Sequence, residues 1–178
     1  DPMVDSAALI QRMIRQFPTP CHDVLAHGIR RLIDYQDAAY AALFLDRLER
    51  FREGDEALLE TVARQLAVRM SYEDAIRVAQ AKTRPERMAR IRAETGAAPG
   101  DAVVITEFLK PGIEEICDIL PRPIAAAILA LWRRSPRMQR WRRGMYVKTT
   151  SISGFLQLRM LAGLRRWRRG TWRYAHEQ

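Results

Sequence analysis

The sequence lacks the short motifs that would mark a nucleotide, redox or metal site. It contains no GxGxxG, no GxxxxGK[ST], no CxxC and no HExxH, so neither a glycine-rich phosphate loop nor a helical zinc site is indicated. Its two cysteines are too few for the set of thiolates that an iron–sulfur cluster needs. We therefore expect no catalytic, cofactor-binding or metal-binding residue in this chain, which leaves open whether it is part of an enzyme.

Long apolar runs are also absent. No stretch reaches the ~18 consecutive apolar residues of a membrane span, and the N-terminus has no basic region followed by an apolar run, as a signal peptide would. Cys21 and Cys117 lie far apart, and such a pair is more often free and buried than bridged. We expect a cytoplasmic protein without a transmembrane segment. Because the chain begins with Asp, we also expect it to be a piece of a longer protein.

Acidic residues are nearly missing from the last third of the chain. Residues 119–178 contain 14 Lys and Arg against one acid, a net charge of +13, whereas residues 1–118 contain 16 basic and 20 acidic side chains, a net of −4. All four tryptophans lie in the basic part. This split predicts a single domain over 1–178, with an acidic-to-neutral scaffold (1–118) and a basic, Trp- and Arg-rich contact surface (119–178).

Apolar residues recur at helical spacing along most of the chain, including one long pattern over residues 21–52. The fold predicted is all-α, an irregular domain of about seven or eight helices, with one minor extended segment at the β-branched residues 103–106. Residues 133–146 are expected to form a short helix and turns. Two sets of apolar residues are expected to be inward or covered. Ile124, Ile128 and Leu131 should face inward in one helix. In the last helix, a stripe should be buried in the domain or against a partner: Ile152, Leu156, Met160, Leu164 and Trp167.

Three acidic clusters could carry chemistry. Asp34 and Asp37 are three residues apart and would share a helix face, where paired carboxylates can exchange protons. Structural ion pairing is the commoner use of such groups, and we favour it here and for the cluster around Asp74. Metal binding is conceivable for Glu107 with Glu114 and Glu115, but Glu114 opens a helix, where the helix dipole favours acids.

The arginines of the basic part, interleaved with Trp and Tyr, are the strongest physical signal. Arginine with aromatic side chains suits phosphate and base-stacking contacts, an anionic membrane surface, or an acidic partner protein. A basic nucleic-acid- or membrane-binding helical module is therefore the alternative to protein docking. The residues proposed for docking lie near the C-terminus: Arg159, Arg165, Arg166, Arg168, Arg169 and Arg173.

Four stretches resemble one family. They are LIDYQDAAYAALFLDRL (32–48), LAVRMSYEDAIRVAQAKT (66–83), VVITEFLKPGIEEICDILP (103–121) and TTSISGFLQLRMLAGLRRWRRGTWRYAHEQ (149–178). Together they resemble the helical C-terminal region of the indolepyruvate oxidoreductase beta-subunit family, which follows a 2-oxoacid oxidoreductase gamma-type domain.

The resemblance implies an accessory or assembly domain of a thiamine-dependent indolepyruvate (2-oxoacid) oxidoreductase. Thiamine diphosphate would sit on the partner subunit, and this chain would hold no cofactor. The implied partners are the catalytic thiamine-binding subunit and the upstream gamma-type domain, and the resemblance favours them over nucleic acid. No residue of this chain inherits a catalytic role from the family, so the chain alone is expected to be inert.

Overall fold

The computed structural model of the chain describes residues 2–98, 100–141 and 144–177, with side chains from residue 5 onward except at position 138. Contacts divide it into two compact units, Asp1–Tyr72 and Glu73–Gln178. The boundary between the units does not coincide with the charge boundary near residue 118. The second unit therefore combines acidic residues of the predicted scaffold with the whole basic part.

The first unit is a bundle of four helices centred on α2. Its buried residues Leu25, Ile29 and Leu32 follow helical spacing, and α2 contacts each of the other three helices. Two 3-10 turns, Thr19–Cys21 and Glu49–Phe51, complete the unit. The helices are α1 (Pro2–Gln16), α2 (His22–Tyr35), α3 (Ala38–Leu48) and α4 (Glu56–Met70).

The long pattern over residues 21–52 is broken between α2 and α3, which corrects the prediction. Asp37 has an extended backbone (φ −169°, ψ 176°), and its carboxylate accepts a hydrogen bond from the Tyr40 amide at 2.8 Å. It is the N-cap of α3. Asp34 belongs to α2, so the two aspartates do not share a helix face. The buried Tyr40 hydroxyl donates to the Met70 carbonyl at 2.9 Å, which gives this cluster a structural role.

The second unit contains shorter helices whose ends follow from local sequence. Asp74 caps the first of them, Pro85 begins the next, and Gly96 ends it in the left-handed region (φ 65°). The helices are α5 (Ala75–Lys82), α6 (Pro85–Thr95), α7 (Ile113–Cys117), α8 (Arg122–Arg134), α9 (Pro136–Gln139), α10 (Ile152–Gly163) and α11 (Trp172–Glu177), with a 3-10 segment over Leu164–Gly170.

Two strands in this unit pair as an antiparallel sheet, β1 (Thr106–Leu109) with β2 (Met145–Lys148). The extended segment predicted at 103–106 overlaps β1 only at Thr106. Its partner lies partly in the stretch predicted as helix and turns, because residues 133–134 and 136–139 are helical and residues 145–148 are extended. The predicted helical fold is thus confirmed in outline, with more helices than seven or eight and with a small sheet.

The core beneath α8 is formed by Cys117, Ala125 and Leu129. The sequence predicted Ile124 and Leu131 as the inward residues, but these are 50% and 60% exposed. The helix is turned by about one position, so that Ala125 and Leu129 face the core, and the predicted Ile128 is partly buried against them. In the described part of the chain, the structure contains no helix that is long and apolar enough to cross a membrane.

Candidate docking surface

The acidic residues of the second unit are used in ion pairs and helix caps. Glu107 pairs with Lys82 at 2.6 Å and with Arg87. The hydrogen bond from Lys82 lowers the pKa of Glu107 and outweighs the effect of burial, which raises it. Glu115 accepts a hydrogen bond from the Gly112 amide at 2.7 Å in the first turn of α7. This agrees with the predicted helix-start role of the Glu114–Glu115 pair.

Neither cysteine is a candidate nucleophile. Cys21 and Cys117 are free and buried. Burial raises the pKa of both thiols, and nearby carboxylates raise it further, so the reactive thiolate is disfavoured. Among the described residues, no group of three or more His, Cys, Asp or Glu side chains is placed to hold a metal ion.

Asp74 and Arg168 form a fully buried ion pair. The guanidinium donates through Nε at 2.8 Å and through Nη2 at 3.1 Å to the two carboxylate oxygens. The side chains are 3% and 0% exposed. Asp74 also accepts a hydrogen bond from the Arg77 amide, so one carboxylate both caps α5 and holds the 3-10 segment that follows α10. The cluster around Asp74 is therefore structural, as favoured from the sequence.

The start of α10 is fixed directly against the end of β2. Ser151 is the N-cap, since its hydroxyl accepts a hydrogen bond from the Gly154 amide at 3.1 Å. The same hydroxyl donates to the Lys148 carbonyl at 2.7 Å. A Cβ on Gly154 would lie 2.2 Å from that carbonyl oxygen, so only glycine allows this approach. The direction of α10 is thus set by the strand that precedes it.

One face of α10 is apolar and exposed, and it contains three residues of the apolar stripe predicted from the sequence. The inward face carries Gly154 and Leu158, and the helix packs against α5. Successive residues of a helix are rotated by about 100°, so the side opposite Gly154 and Leu158 faces outward. The residues on this outer side, here called the α10 face, are Ile152 (82% exposed), Phe155 (42%), Leu156 (59%) and Met160 (76%), together with the exposed Arg159.

The residues expected to be buried in this helix are therefore exposed within the described chain. Three of them, Ile152, Leu156 and Met160, belong to the α10 face. The other two are also exposed, Leu164 by 37% and Trp167 by 74%. The expectation was burial in the domain or against a partner, and the domain does not provide it. Arg159 also lies among these apolar side chains and not on the opposite side of the helix.

The arginines proposed for docking fall into three environments. Arg159, Arg166 and Arg169 are exposed, and Arg165 is half-buried. Arg173 is held at 2.9 Å from Asp118 and at 3.0 Å from Glu177. Arg168 is interior, so it cannot contribute to a surface. Arg142 and Arg143 of the basic part lie outside the described residues.

A groove of about 490 Å³ opens on the inner side of α10, opposite the α10 face. Its walls are mainly apolar and include Val78, Ile119 and Leu161. The rim carries the Lys82–Glu107 and Arg173–Asp118 ion pairs. Glu73 and Lys110 also line the groove, which therefore combines mainly apolar walls with charged residues.

Sequence reasoning also missed the exposed aromatic pair of the sheet, Phe108 and Tyr146. The alternation in TEFLK and MYVK was the available signal, since residues two apart in a strand lie on one face. The pairing of two segments so far apart in the chain could not be deduced from either segment alone.

A model of a family of unknown function (DUF6537) matches residues 21–178. No curated protein and no solved structure matches the chain. The matched family has no assigned activity, so the resemblance to the indolepyruvate oxidoreductase beta-subunit family stays a prediction.

Proposed function

Since the chain belongs to the family of unknown function DUF6537, we propose that it is a non-catalytic assembly domain that binds a protein partner through the α10 face. The observation that carries the proposal is the exposed apolar side of a helix whose other side is already buried. The resemblance identifies the partner as the thiamine-binding catalytic subunit of an indolepyruvate (2-oxoacid) oxidoreductase, assembled with an upstream gamma-type domain.

The apolar composition of α10 supports a protein partner. A helix that is apolar on all sides is normally covered on all sides, because each large apolar side chain contributes about 1.5–3 kcal/mol when it is fully buried. Four such side chains lie on the α10 face, and Trp167 follows them. Large exposed apolar patches of this kind mark interaction sites in soluble domains.

The charge around the α10 face favours an acidic partner. Arg159 and Arg166 are exposed, and neither forms an ion pair with a described residue. Tryptophan and arginine are also the side chains that most often dominate binding energy at interfaces. An apolar interface with Arg159 among its side chains and Arg166 beyond them would be complemented by a partner surface that combines an apolar patch with carboxylates.

The test is co-purification with the catalytic subunit. Leu156→Asp combined with Met160→Asp should weaken binding by at least about tenfold, because two charges would have to be buried without partners. Leu58→Asp is the matched control: Leu58 is 50% exposed on α4 and lies in the other unit. It should leave binding unchanged.

A second variant tests the charge. Arg159→Glu with Arg166→Glu should weaken binding and reduce its salt dependence, whereas the fold should persist because both side chains are exposed. Arg168 is left intact, since its loss would disturb the interior. Wild-type binding by both double variants would refute docking through the α10 face.

A further inference from the structure

The outer face of the two-stranded sheet carries two neighbouring aromatic rings, whose planes are inclined at 45° to each other. Phe108 and Tyr146 are directly opposite each other in the register, with ring centroids 5.0 Å apart. They are 57% and 78% exposed, and so neither contributes to a core. Exposed aromatic rings on a sheet are the surface on which proteins stack the bases of single-stranded nucleic acids.

Lysines lie at both ends of this aromatic pair. Lys148 is two residues from Tyr146 on β2, and Lys110 is two residues from Phe108 just past the end of β1. The strands run antiparallel, so the two lysines lie on opposite sides of the rings, each about 7 Å away by the rise of a strand. Both are exposed, and neither forms an ion pair with a described residue.

The acidic residue of the sheet, Glu107, lies on its inner face. Glu107 points to that side, where Lys82 and Arg87 hold it, and Leu109 and Met145 line the groove beside it. The outer face formed by Thr106, Phe108, Tyr146 and Lys148 therefore contains no acid, and Lys110 follows at the end of β1, where it also borders the groove. A surface of aromatic rings between two cations is complementary to stacked bases between phosphates.

The Phe108 ring lies close to the backbone of Gly144, its neighbour across the sheet. A Cβ at residue 144 would lie 3.1 Å from the Phe108 ring carbon Cε2, and glycine leaves this space open. The ring can therefore lie over the Gly144 backbone next to Tyr146.

We propose that the outer face of this sheet is a binding site for single-stranded nucleic acid, with bases stacked on Phe108 and Tyr146 and phosphates at Lys110 and Lys148. The site is separate from the α10 face and does not depend on the assembly function.

The test uses the 178-residue chain and a fluorescein-labelled oligothymidylate of about 12 nucleotides, within the usual site size. We expect binding at low salt, measured by fluorescence anisotropy. Phe108→Ala with Tyr146→Ala should lower affinity by at least about tenfold through lost stacking. Lys110→Ala with Lys148→Ala should reduce the slope of log affinity against log salt by roughly 1.4, at about 0.7 per phosphate on a single strand.

Ile124→Ala with Leu131→Ala is the matched control, since it removes two exposed apolar side chains of α8 that belong to neither proposed surface. It should bind as wild type, and Phe108→Trp should retain binding because it keeps a stacking ring. Three results would overturn the proposal: no binding at about 50 mM salt, equal binding by the Phe108→Ala/Tyr146→Ala variant, or equal competition by a free mononucleotide. Circular dichroism of each variant establishes that the fold is intact.

Discussion

At the scale of single residues, the arginines of the RRWRR run (residues 165–169) differ sharply in their exposure to solvent. Arg166 is exposed and Arg168 is wholly buried, yet nothing in the local sequence separates them. The partner of Arg168 is Asp74, which is 94 residues away in the chain. Charge counting could predict a basic surface, but only the packing of the 3-10 segment on α5 decides which arginine belongs to it.

The buried pair should therefore dominate the stability of the second unit. Arg168→Met leaves the Asp74 carboxylate buried without its partner, and we expect a loss of about 3–5 kcal/mol in the free energy of unfolding. Arg166→Met, which also neighbours Trp167, should change it by less than about 0.5 kcal/mol. Urea denaturation followed by tryptophan fluorescence measures this unit specifically, because all four tryptophans lie in it. Equal stability of the two variants would contradict the structural role of the pair.

At the scale of elements, helical periodicity identified most helices but misassigned some of their faces. In α5, Ile76 and Ala79 lie at helical spacing in the sequence and are both buried. In α8 the buried residues are Ala125 and Leu129, each one position after a residue predicted to face inward. In α10, apolar residues lie on both the buried and the exposed side. A pattern based on large residues fails where a small residue makes the close contact, and it cannot choose between two apolar sides.

Close helix contact through a glycine gives a direct test at this scale. Gly28→Ala would place a Cβ 2.7 Å from Cζ of the buried Phe44, so steric cost should exceed the gain in helix propensity of about 1 kcal/mol. We expect a net destabilisation of about 1 kcal/mol. Gly163→Ala is the control, since nothing lies within 4 Å of its Cβ and its backbone is helical. That variant should be stabilised by up to about 1 kcal/mol. Thermal unfolding followed by circular dichroism compares the two, and stabilisation by both substitutions would show that α2 and α3 do not meet as described.

At the scale of the whole molecule, exposed apolar surface is unevenly divided. Among the described residues, most of the large apolar side chains that remain exposed belong to Glu73–Gln178, and only Ile14, Leu58 and Val68 belong to Asp1–Tyr72. The second unit also contains the whole basic part of the chain. Composition predicted that the last third would form contacts, but the exposed sheet face and the α10 face depend on tertiary structure.

The most direct test of docking through the α10 face is the oxidation rate of its methionine. Met160 is 76% exposed, Met145 on the sheet is 40% exposed, and Met70 is 2% exposed. In the free chain, hydrogen peroxide should oxidise Met160 fastest and Met70 slowest, as measured by peptide mass spectrometry. Addition of the catalytic subunit should slow oxidation of Met160 and leave Met145 unchanged. If the complex forms and Met160 is oxidised at the rate of the free chain, the α10 face is not the docking surface.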